Sequence, residues 1–290
     1  MAESAAISVD VEDWYHPELV RDRVPANDPR SIVRSATAAI LDRLRRHRVR
    51  ATFFVLGDVA RRHPDLVRRI ADEGHELGAH GDTHRPLWTL TPESFRAELR
   101  AARAAVRDAL GTDPMIGFRA PTFSLDRGTA WALDVLADEG FRYDSSVFPV
   151  RVRLYGVAGA PLDIYRVGRD PAVPDPNGRL VEFPVAVLEL AGRRLPVAGG
   201  FYLRALPAPL LLWALDRIVR RRPAALYLHP WECAPDVPRV RLPALDSWIT
   251  YLGLRSAPHK LEALLRRYAM APMRDILERG GHLSSRGAPR

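Results

Sequence analysis

Short apolar runs alternate with longer amphipathic stretches over the first half of the chain. The apolar runs are rich in β-branched and aromatic residues and predict strands at 5–11, 51–57, 76–80, 115–121 and 141–145. Apolar residues recur at helical spacing between these runs, which predicts helices at 32–46, 59–73, 91–109 and 127–139. Strands that alternate with helices lie parallel, so this half predicts an α/β fold, either a barrel or a doubly wound sheet.

The pattern changes at about residue 150. Proline and glycine become frequent up to about residue 204, and the apolar runs there predict meandering strands and turns. The earlier alternation resumes with a predicted helix at 208–221 and a strand at 224–230. We therefore predict a single domain over 1–278, followed by a flexible Gly/Ser-rich tail at 279–290. Within that domain, we expect a strand-rich insertion at about 150–204 and a C-terminal extension at about 232–278.

The charge of the chain does not indicate a nucleic-acid partner. The formal net charge is +8, and of the 43 basic residues only Lys260 is a lysine. The arginines are spread along the predicted helices, and no block of like charge is interleaved with aromatic residues. With 47% hydrophobic and 27% charged residues, the composition is that of an ordinary globular protein. We therefore predict no nucleic-acid binding.

The sequence also carries an expectation about location. The first residues lack the basic and apolar regions of a secretory signal, and the most apolar stretch, 206–219, is broken by prolines and charges. We expect a cytoplasmic protein, with peripheral attachment to the inner face of the membrane left open. Because Cys233 is the single cysteine, a disulfide within the chain and a cysteine-based metal site are both excluded.

Charged and imidazole side chains stand where the predicted strands end. In a parallel β/α barrel, the carboxyl ends of the strands meet at one edge, and catalytic residues cluster there. The residues at these ends are Asp10, Glu12, Asp13, His80, Arg119, Asp144 and His229. This arrangement predicts one site that draws its side chains from five strands.

His80 and His84 are separated by one helical turn, so both imidazoles can reach a single cation. Alone, this spacing is weak evidence of a metal site. The acidic residues at the end of the first strand strengthen it, because two histidines and one carboxylate form a recurrent open coordination set. An open set leaves room for water and substrate, which predicts hydrolytic chemistry.

Five short motifs occur in an order that resembles the polysaccharide deacetylase family, which shares the chitooligosaccharide deacetylase (NodB) homology domain and is similar to carbohydrate esterase family 4. They are SVDVED at 8–13, GHELGAHGDTH at 74–84, RAP at 119–121, YDSS at 143–146 and LYLHPW at 226–231. The stretches GGFYLR at 199–204 and HPWE at 229–232, with the C-terminal extension, resemble the bacterial exopolysaccharide-associated branch. The resemblance covers about residues 5–232.

The resemblance implies a distorted (β/α) barrel of about seven strands, with the insertion near the barrel mouth. It implies metal-dependent removal of N-acetyl groups from an N-acetylhexosamine-containing polysaccharide or a lipid-linked sugar, in exopolysaccharide biosynthesis. The implied cofactor is a divalent ion, with Zn²⁺ favoured and Co²⁺, Ni²⁺ or Mn²⁺ as alternatives.

The resemblance also implies a role for each matching residue. Asp10 is the expected general base, and Arg119 is expected to pair with it. His229 is the expected general acid, and His80 and His84 are the expected metal ligands. Asp144 is expected to orient His229 or to hold the neighbouring loop.

The third metal ligand is left ambiguous, because the adjacent Asp-Asp of the family is absent here. Glu12 keeps the strand parity of Asp10, whereas Asp13 reaches the site if the chain turns early. We slightly favour Asp13. The candidate substrate contacts at the predicted mouth are Trp14, Thr122, Phe123 and Trp231, and Thr122 replaces an aromatic residue common in the family.

Two alternative functions remain open from the sequence. One is an allantoinase-like amidohydrolase that acts on a small cyclic amide or ureide. The other is a catalytically inactive barrel that binds glycan or serves as a scaffold. The presence of both a candidate base and a candidate acid argues against the inactive barrel, because a binding module needs neither.

Overall fold

The structure is a computed structural model, and it describes residues 5–25 and 28–284. Its strands are β1 Ala5–Val11, β2 Thr52–Val55, β3 Glu76–Ala79, β4 Gly117–Phe118, β5 Tyr143–Asp144, β6 Tyr165–Val167, β7 Leu180–Glu182, β8 Val187–Leu190, β9 Arg193–Pro196 and β10 Ala224–Leu228. Its helices are α1 Val33–His47, α2 Gly57–Arg62, α3 Pro64–Asp72, α4 Pro92–Leu110, α5 Trp131–Asp138, α6 Gly200–Ala205, α7 Ala208–Val219, α8 Ala244–Tyr251, α9 Ala257–Arg267 and α10 Met273–Arg279.

The main sheet is a curled parallel sheet. In the described residues, eight strands follow the order β10-β1-β2-β3-β4-β5-β7-β6, and only the edge strand β6 is antiparallel to its neighbour. Just beyond β7, Val185 pairs with Ala225 of β10, which brings the two ends of the seven parallel strands together. The predicted distorted (β/α) barrel of about seven strands is therefore confirmed.

The local sequence accounts for most element boundaries. Helix α4 begins after Thr91, whose side chain and that of Ser94 form a reciprocal capping box. The helix predicted at 59–73 is instead two helices, α2 and α3, which meet at His63. Pro64 opens α3, because proline fits the first turn of a helix but interrupts the interior.

The segment predicted as an insertion divides into two parts. Strand β7 lies within it, yet pairs in parallel with β5 and so forms part of the barrel wall. Strands β8 and β9 form a separate hairpin. The predicted boundary at about 150–204 therefore cuts across a barrel strand, because β7 is too short for its role to be read from its own pattern.

The C-terminal extension covers the end of the barrel where the strands begin, opposite the carboxyl edge. Met273 and Leu277 of α10 are fully buried against Ala6, Phe54 and other inward-facing residues of the barrel. Leu283 is also buried, so the start of the predicted flexible tail packs against the domain, while 285–290 lie outside the described residues. Among the residues described, no helix combines the length and the apolar character needed to cross a lipid bilayer.

Candidate active site

Most of the side chains predicted from the strand ends meet at the carboxyl edge of the barrel, with Asp13 and Asp144 as exceptions. Asp10 and Glu12 come from the end of β1, His80 follows β3, and His229 follows β10. Strands β1, β2 and β10 are paired in register, so their ends lie side by side. This edge surrounds a cavity of about 140 Å³ that Asp10, Glu12, His80, His84 and His229 help to line.

Glu12, His80 and His84 form a group that fits a divalent cation. One ligand atom from each residue lies within 4.8 Å of the other two, and all three residues are buried. The Oε2 of Glu12 lies 2.6 Å from Nε2 of His84. The buried carboxylate and the two buried imidazoles supply the oxygen and nitrogen ligand atoms that zinc and similar ions prefer.

The surroundings prepare these groups as ligands. The Nδ1 of His80 lies 2.8 Å from the carbonyl oxygen of Arg119, which fixes the ring and leaves Nε2 for the site. Burial lowers the pKa of His80 to about 4, so the ring is neutral and can offer a lone pair. Burial opposes ionisation of Glu12, but the neighbouring His84 and His229 outweigh burial and lower the Glu12 pKa.

Asp13 does not join this group. Its carboxylate accepts hydrogen bonds from the backbone N–H groups of Trp14, at 3.0 Å, and Ile32, at 3.1 Å, and from the hydroxyl of Ser31. Ile32 is the residue before α1, so Asp13 stabilises the N-terminus of that helix. The preference for Asp13 as third ligand therefore differs from the observed arrangement, because Glu12 keeps the side of Asp10 while Asp13 faces away.

Asp10 is held by Arg119. The Nη1 of Arg119 donates to Oδ1 of Asp10 at 2.7 Å, and the guanidinium is fully buried. The remaining donors of Arg119 reach the hydroxyl of Ser8 and the carbonyl and hydroxyl of Ser145. Because Oδ1 is engaged, Oδ2 of Asp10 is the oxygen available on the cavity side.

His229 lines the same cavity, close to Asp10 and Glu12. Its Nε2 is 3.4 Å from Oε1 of Glu12 and 4.0 Å from Oδ2 of Asp10. The Nδ1 is 3.0 Å from Oε2 of Glu232. Burial opposes the charged imidazole, but Glu12 and Glu232 outweigh burial and raise the His229 pKa to about 9. In this environment the ring holds a proton near neutral pH.

Asp144 contacts the residues just after β5 rather than His229. Its carboxylate accepts from the hydroxyl of Ser146 at 2.6 Å and from the backbone N–H of Ser146 at 3.2 Å. Burial raises the pKa of Asp144, although hydrogen bonds with Glu182 and Ser146 partly offset this effect. The expectation that Asp144 orients His229 is not met, because Glu232 occupies that position. The alternative, that it holds the neighbouring loop, agrees with the Ser146 contacts.

Three of the four candidate substrate contacts line the cavity, and the fourth does not. Thr122, Phe123 and Trp231 line the cavity, and Trp231 stacks on the ring of His229 with the planes 12° apart. Thr122 and Phe123 adopt left-handed backbone conformations, as does His84. Trp14 does not line the cavity, and its indole N–H donates to the carbonyl oxygen of Arg30. The prediction for Trp14 was wrong about its position.

Several cavity residues received no role in the sequence analysis. Tyr155, Phe201 and Tyr227 line the cavity, as do Arg204 and Glu232. The signal available for Arg204 and Glu232 was their place in the GGFYLR and HPWE stretches. That signal indicated a branch of the family but not which side chain contacts which.

A parallel barrel with a buried carboxylate and two histidines at its carboxyl edge belongs to the class of metal-site barrels. Comparison with known families makes this more specific: residues 22–143 match the model described as "Polysaccharide deacetylase". Residues 145–278 match a "Domain of unknown function (DUF3473)". Residues 22–143 are therefore similar to the polysaccharide deacetylase family, and the predicted family resemblance is confirmed.

Similar proteins agree with this assignment. The chain is 41% identical over 101 residues to a chitooligosaccharide deacetylase of Rhizobium leguminosarum bv. trifolii, a match that covers 35% of this chain and 44% of the relative. It is 34% identical over 100 residues to a peptidoglycan-N-acetylglucosamine deacetylase of Bacillus cereus, covering 34% and 36% respectively. The chain thus spans less than half the length of these curated relatives.

A solved structure resembles nearly the whole chain. It is described as a "putative polysaccharide deacetylase from Mycobacterium smegmatis" and superposes with a TM-score of 0.64 at 22% identity. The superposition covers 100% of this chain and 95% of the other. At this identity the likeness supports the fold alone.

Proposed function

We propose that this protein is a metal-dependent N-deacetylase that removes acetyl groups from N-acetylhexosamine units of a polysaccharide or a lipid-linked sugar. The observation that carries the proposal is the convergence of Asp10 and His229 on the Glu12, His80 and His84 group, with Nε2 of His229 4.0 Å from Oδ2 of Asp10 and 3.4 Å from Oε1 of Glu12. The family match and the named deacetylase relatives support it.

Glu12, His80 and His84 would hold the metal ion. When bound, a divalent cation supplies Lewis acidity that polarises the acetamide carbonyl and makes water more acidic. Zn²⁺ suits two imidazoles and a carboxylate, and Co²⁺, Ni²⁺ or Mn²⁺ are alternatives whose use depends on availability.

The two proton transfers belong to Asp10 and His229. Oδ2 of Asp10 accepts a proton from the attacking water, while Arg119 holds Oδ1 and so orients the carboxylate. The water oxygen adds to the acetyl carbon, and the C–N bond then breaks. Nε2 of His229 donates a proton to the departing amine nitrogen, so the products are acetate and a free amino sugar.

The cavity suits a sugar ring. Trp231, Phe123 and Tyr227 line it, and aromatic faces pack against the apolar faces of sugars. Phe201 also lines the cavity and contacts Trp248, which is 52% exposed, so the aromatic lining continues to the surface.

We further propose a role in exopolysaccharide biosynthesis at the cytoplasmic side of the membrane, with peripheral attachment to it.

The test is acetate release from N-acetylglucosamine oligomers by purified protein, in chelated and Zn²⁺-reconstituted samples. We expect metal-dependent acetate that the Asp10→Asn variant fails to release. Asp113→Asn is the matched control, because Asp113 also pairs with an arginine, Arg103, but lies away from the cavity. A metal-containing protein that releases no acetate would favour the ureide amidohydrolase, and a protein that binds no metal would favour the inactive scaffold.

A further inference from the structure

Glu232 connects His229 to a buried arginine. Its Oε2 accepts from the backbone N–H of His229 at 3.0 Å and lies 3.0 Å from Nδ1 of the same residue. Its Oε1 accepts from Nε of Arg204 at 2.7 Å. Both Glu232 and Arg204 are buried, so the pair is shielded from water and has a defined geometry.

Arg204 is in turn fixed to the end of α8. Nη1 donates to the carbonyl oxygens of Thr250, at 3.1 Å, and Leu252, at 2.6 Å, and Nη2 donates to that of Ile249 at 3.1 Å. These carbonyls lie where the helix ends and lack partners within it. Arg204 therefore satisfies them and holds α8, which contributes Ile249 and Thr250 to the cavity wall.

The position of Glu232 also requires a glycine. A Cβ added to Gly200 would lie 1.8 Å from Oε2 of Glu232, so any larger residue would displace the carboxylate. Gly200 and Arg204 are four residues apart in α6, so both face the Glu232 carboxylate from the same side of the helix. The GGFYLR stretch thus fixes the position of the Glu232 side chain through Gly200 and Arg204.

We propose that Glu232 is the positioning residue for His229, and that Arg204 and Gly200 hold Glu232 for that task. This inference rests on the proposed function. Because Glu232 accepts from the Nδ1 side, the ring presents only Nε2 to the cavity. When Nε2 gives its proton to the amine nitrogen, the Nδ1 proton stays on the ring and Glu232 stays ionised, so one proton moves.

The variant Glu232→Gln breaks this arrangement with little change of size. Oε1 faces one donor, from Arg204, and Oε2 faces two, from His229. A glutamine has a single carbonyl oxygen and an NH₂ group. The NH₂ group must therefore face a hydrogen-bond donor of either Arg204 or His229, and two donors cannot form a hydrogen bond with each other. Either Arg204 loses its partner, or His229 must place its Nδ1 lone pair towards the amide.

Two substrates separate positioning of the acid from a structural role. Amide hydrolysis needs protonation of the leaving amine, whereas 4-nitrophenyl acetate has a leaving group that departs without it. For Glu232→Gln, we expect kcat for N-acetylglucosamine oligomers to fall about 10²-fold or more, with KM little changed. Turnover of 4-nitrophenyl acetate should stay within about threefold of the unmodified protein. Equal losses on both substrates would overturn the proposal.

A double variant tests whether Glu232 acts through His229. If it does, Glu232→Gln should cost nothing further in amide hydrolysis once His229→Ala is present. An additional loss of the same size in that background would contradict the proposal. Glu262→Gln is the matched control, because Glu262 also contacts a histidine, His47, on the outer surface, and its activity should be unchanged.

A measurement without substrate keeps this inference separate from the proposed function. In ¹⁵N-histidine-labelled protein, the His229 Nδ1–H should exchange slowly with water, and this signal should be lost in Glu232→Gln. If the signal is absent in the unmodified protein, the positioning role fails. If it is present but no glycan releases acetate, the proposed function fails while the His229–Glu232 contact stands.

Discussion

The two sides of the cavity are built in different ways. On the base and metal side, Asp10, Glu12, His80 and Arg119 stand at or just beyond the ends of adjacent parallel strands. On the acid side, His229 also follows a strand, but its orientation depends on Glu232, Arg204 and the end of α8. The strand ends position the first set directly, whereas the second set needs helices that come from distant parts of the sequence.

The division also follows the family matches. His80, His84 and Arg119 fall within the region that matches polysaccharide deacetylases. His229, Glu232, Arg204 and Gly200 all fall within the region of unknown function. A cavity with one proposed chemistry therefore draws its two candidate histidine ligands and its acid from two separately recognised parts of the chain, while Asp10 and Glu12 precede both. Changes on each side should therefore have separable effects.

The largest expected effect is loss of the metal. Chelation should abolish acetate release, and Zn²⁺ should restore it, because the proposed chemistry depends on the ion. Addition of Zn²⁺ to the metal-free protein should also raise Tm, since a ligand that binds the folded state stabilises it. His80→Ala should lose both responses, whereas Glu232→Gln should keep the Tm response. Metal content by elemental analysis and Tm by calorimetry check this, and full activity without metal would contradict it.

The next effect is on stability and concerns the base side. Arg119→Met should lower the free energy of unfolding by about 3–5 kcal/mol, because it leaves Asp10 buried without its partner. Urea denaturation measures the loss. The exposed pair of Arg34 with Asp65 offers the control, and Arg34→Met should cost about 1 kcal/mol or less. Similar costs for the two variants would show that Asp10 does not depend on Arg119.

Gly200→Ala should perturb the acid side alone. The added methyl group overlaps Glu232, so we expect a stability loss of about 1–3 kcal/mol and slower amide hydrolysis, with unchanged Zn²⁺ affinity. Gly128→Ala is the control, because its nearest contact is the flexible side chain of Asp126 at 3.3 Å. A change in Zn²⁺ affinity would mean that the two sides of the cavity are coupled.

The smallest expected effect separates two neighbouring acidic residues. Asp13→Asn should lower the free energy of unfolding by about 1 kcal/mol, since Asp13 stabilises the start of α1, and should leave Zn²⁺ affinity unchanged. Glu12→Gln should instead weaken Zn²⁺ binding, because an amide is a poor substitute for a carboxylate ligand. Isothermal titration with Zn²⁺ distinguishes them. Weaker binding in Asp13→Asn would restore Asp13 as a ligand candidate.

The sequence by itself determined the β/α alternation, the parallel strands and the strand ends that carry polar residues, whereas the choice of a barrel over a doubly wound sheet came from the family resemblance. These features depend on local patterns: apolar runs for strands, helical spacing between them, and a charged residue where each run stops. The pairing of His80 with His84 was also suggested by their spacing, although residues 80–84 are not helical and the rings meet through a loop in which Gly81 and His84 have positive φ. Periodicity and spacing are properties of residues close in sequence, so they can be identified without a structure.

Only the tertiary structure decided which carboxylate serves which partner. Glu12 and Asp13 are adjacent, and the choice depended on donors from Trp14 and from Ile32 at the start of α1 that occupy Asp13. Asp144 was the carboxylate expected at His229 from the sequence, but Glu232 holds that position, and its second oxygen is bound by Arg204, 28 residues from Glu232 in the chain. The position of a buried carboxylate is set by the hydrogen-bond donors around it, because buried polar groups must be paired. Some of those donors come from distant segments and reach the carboxylate only when the chain packs.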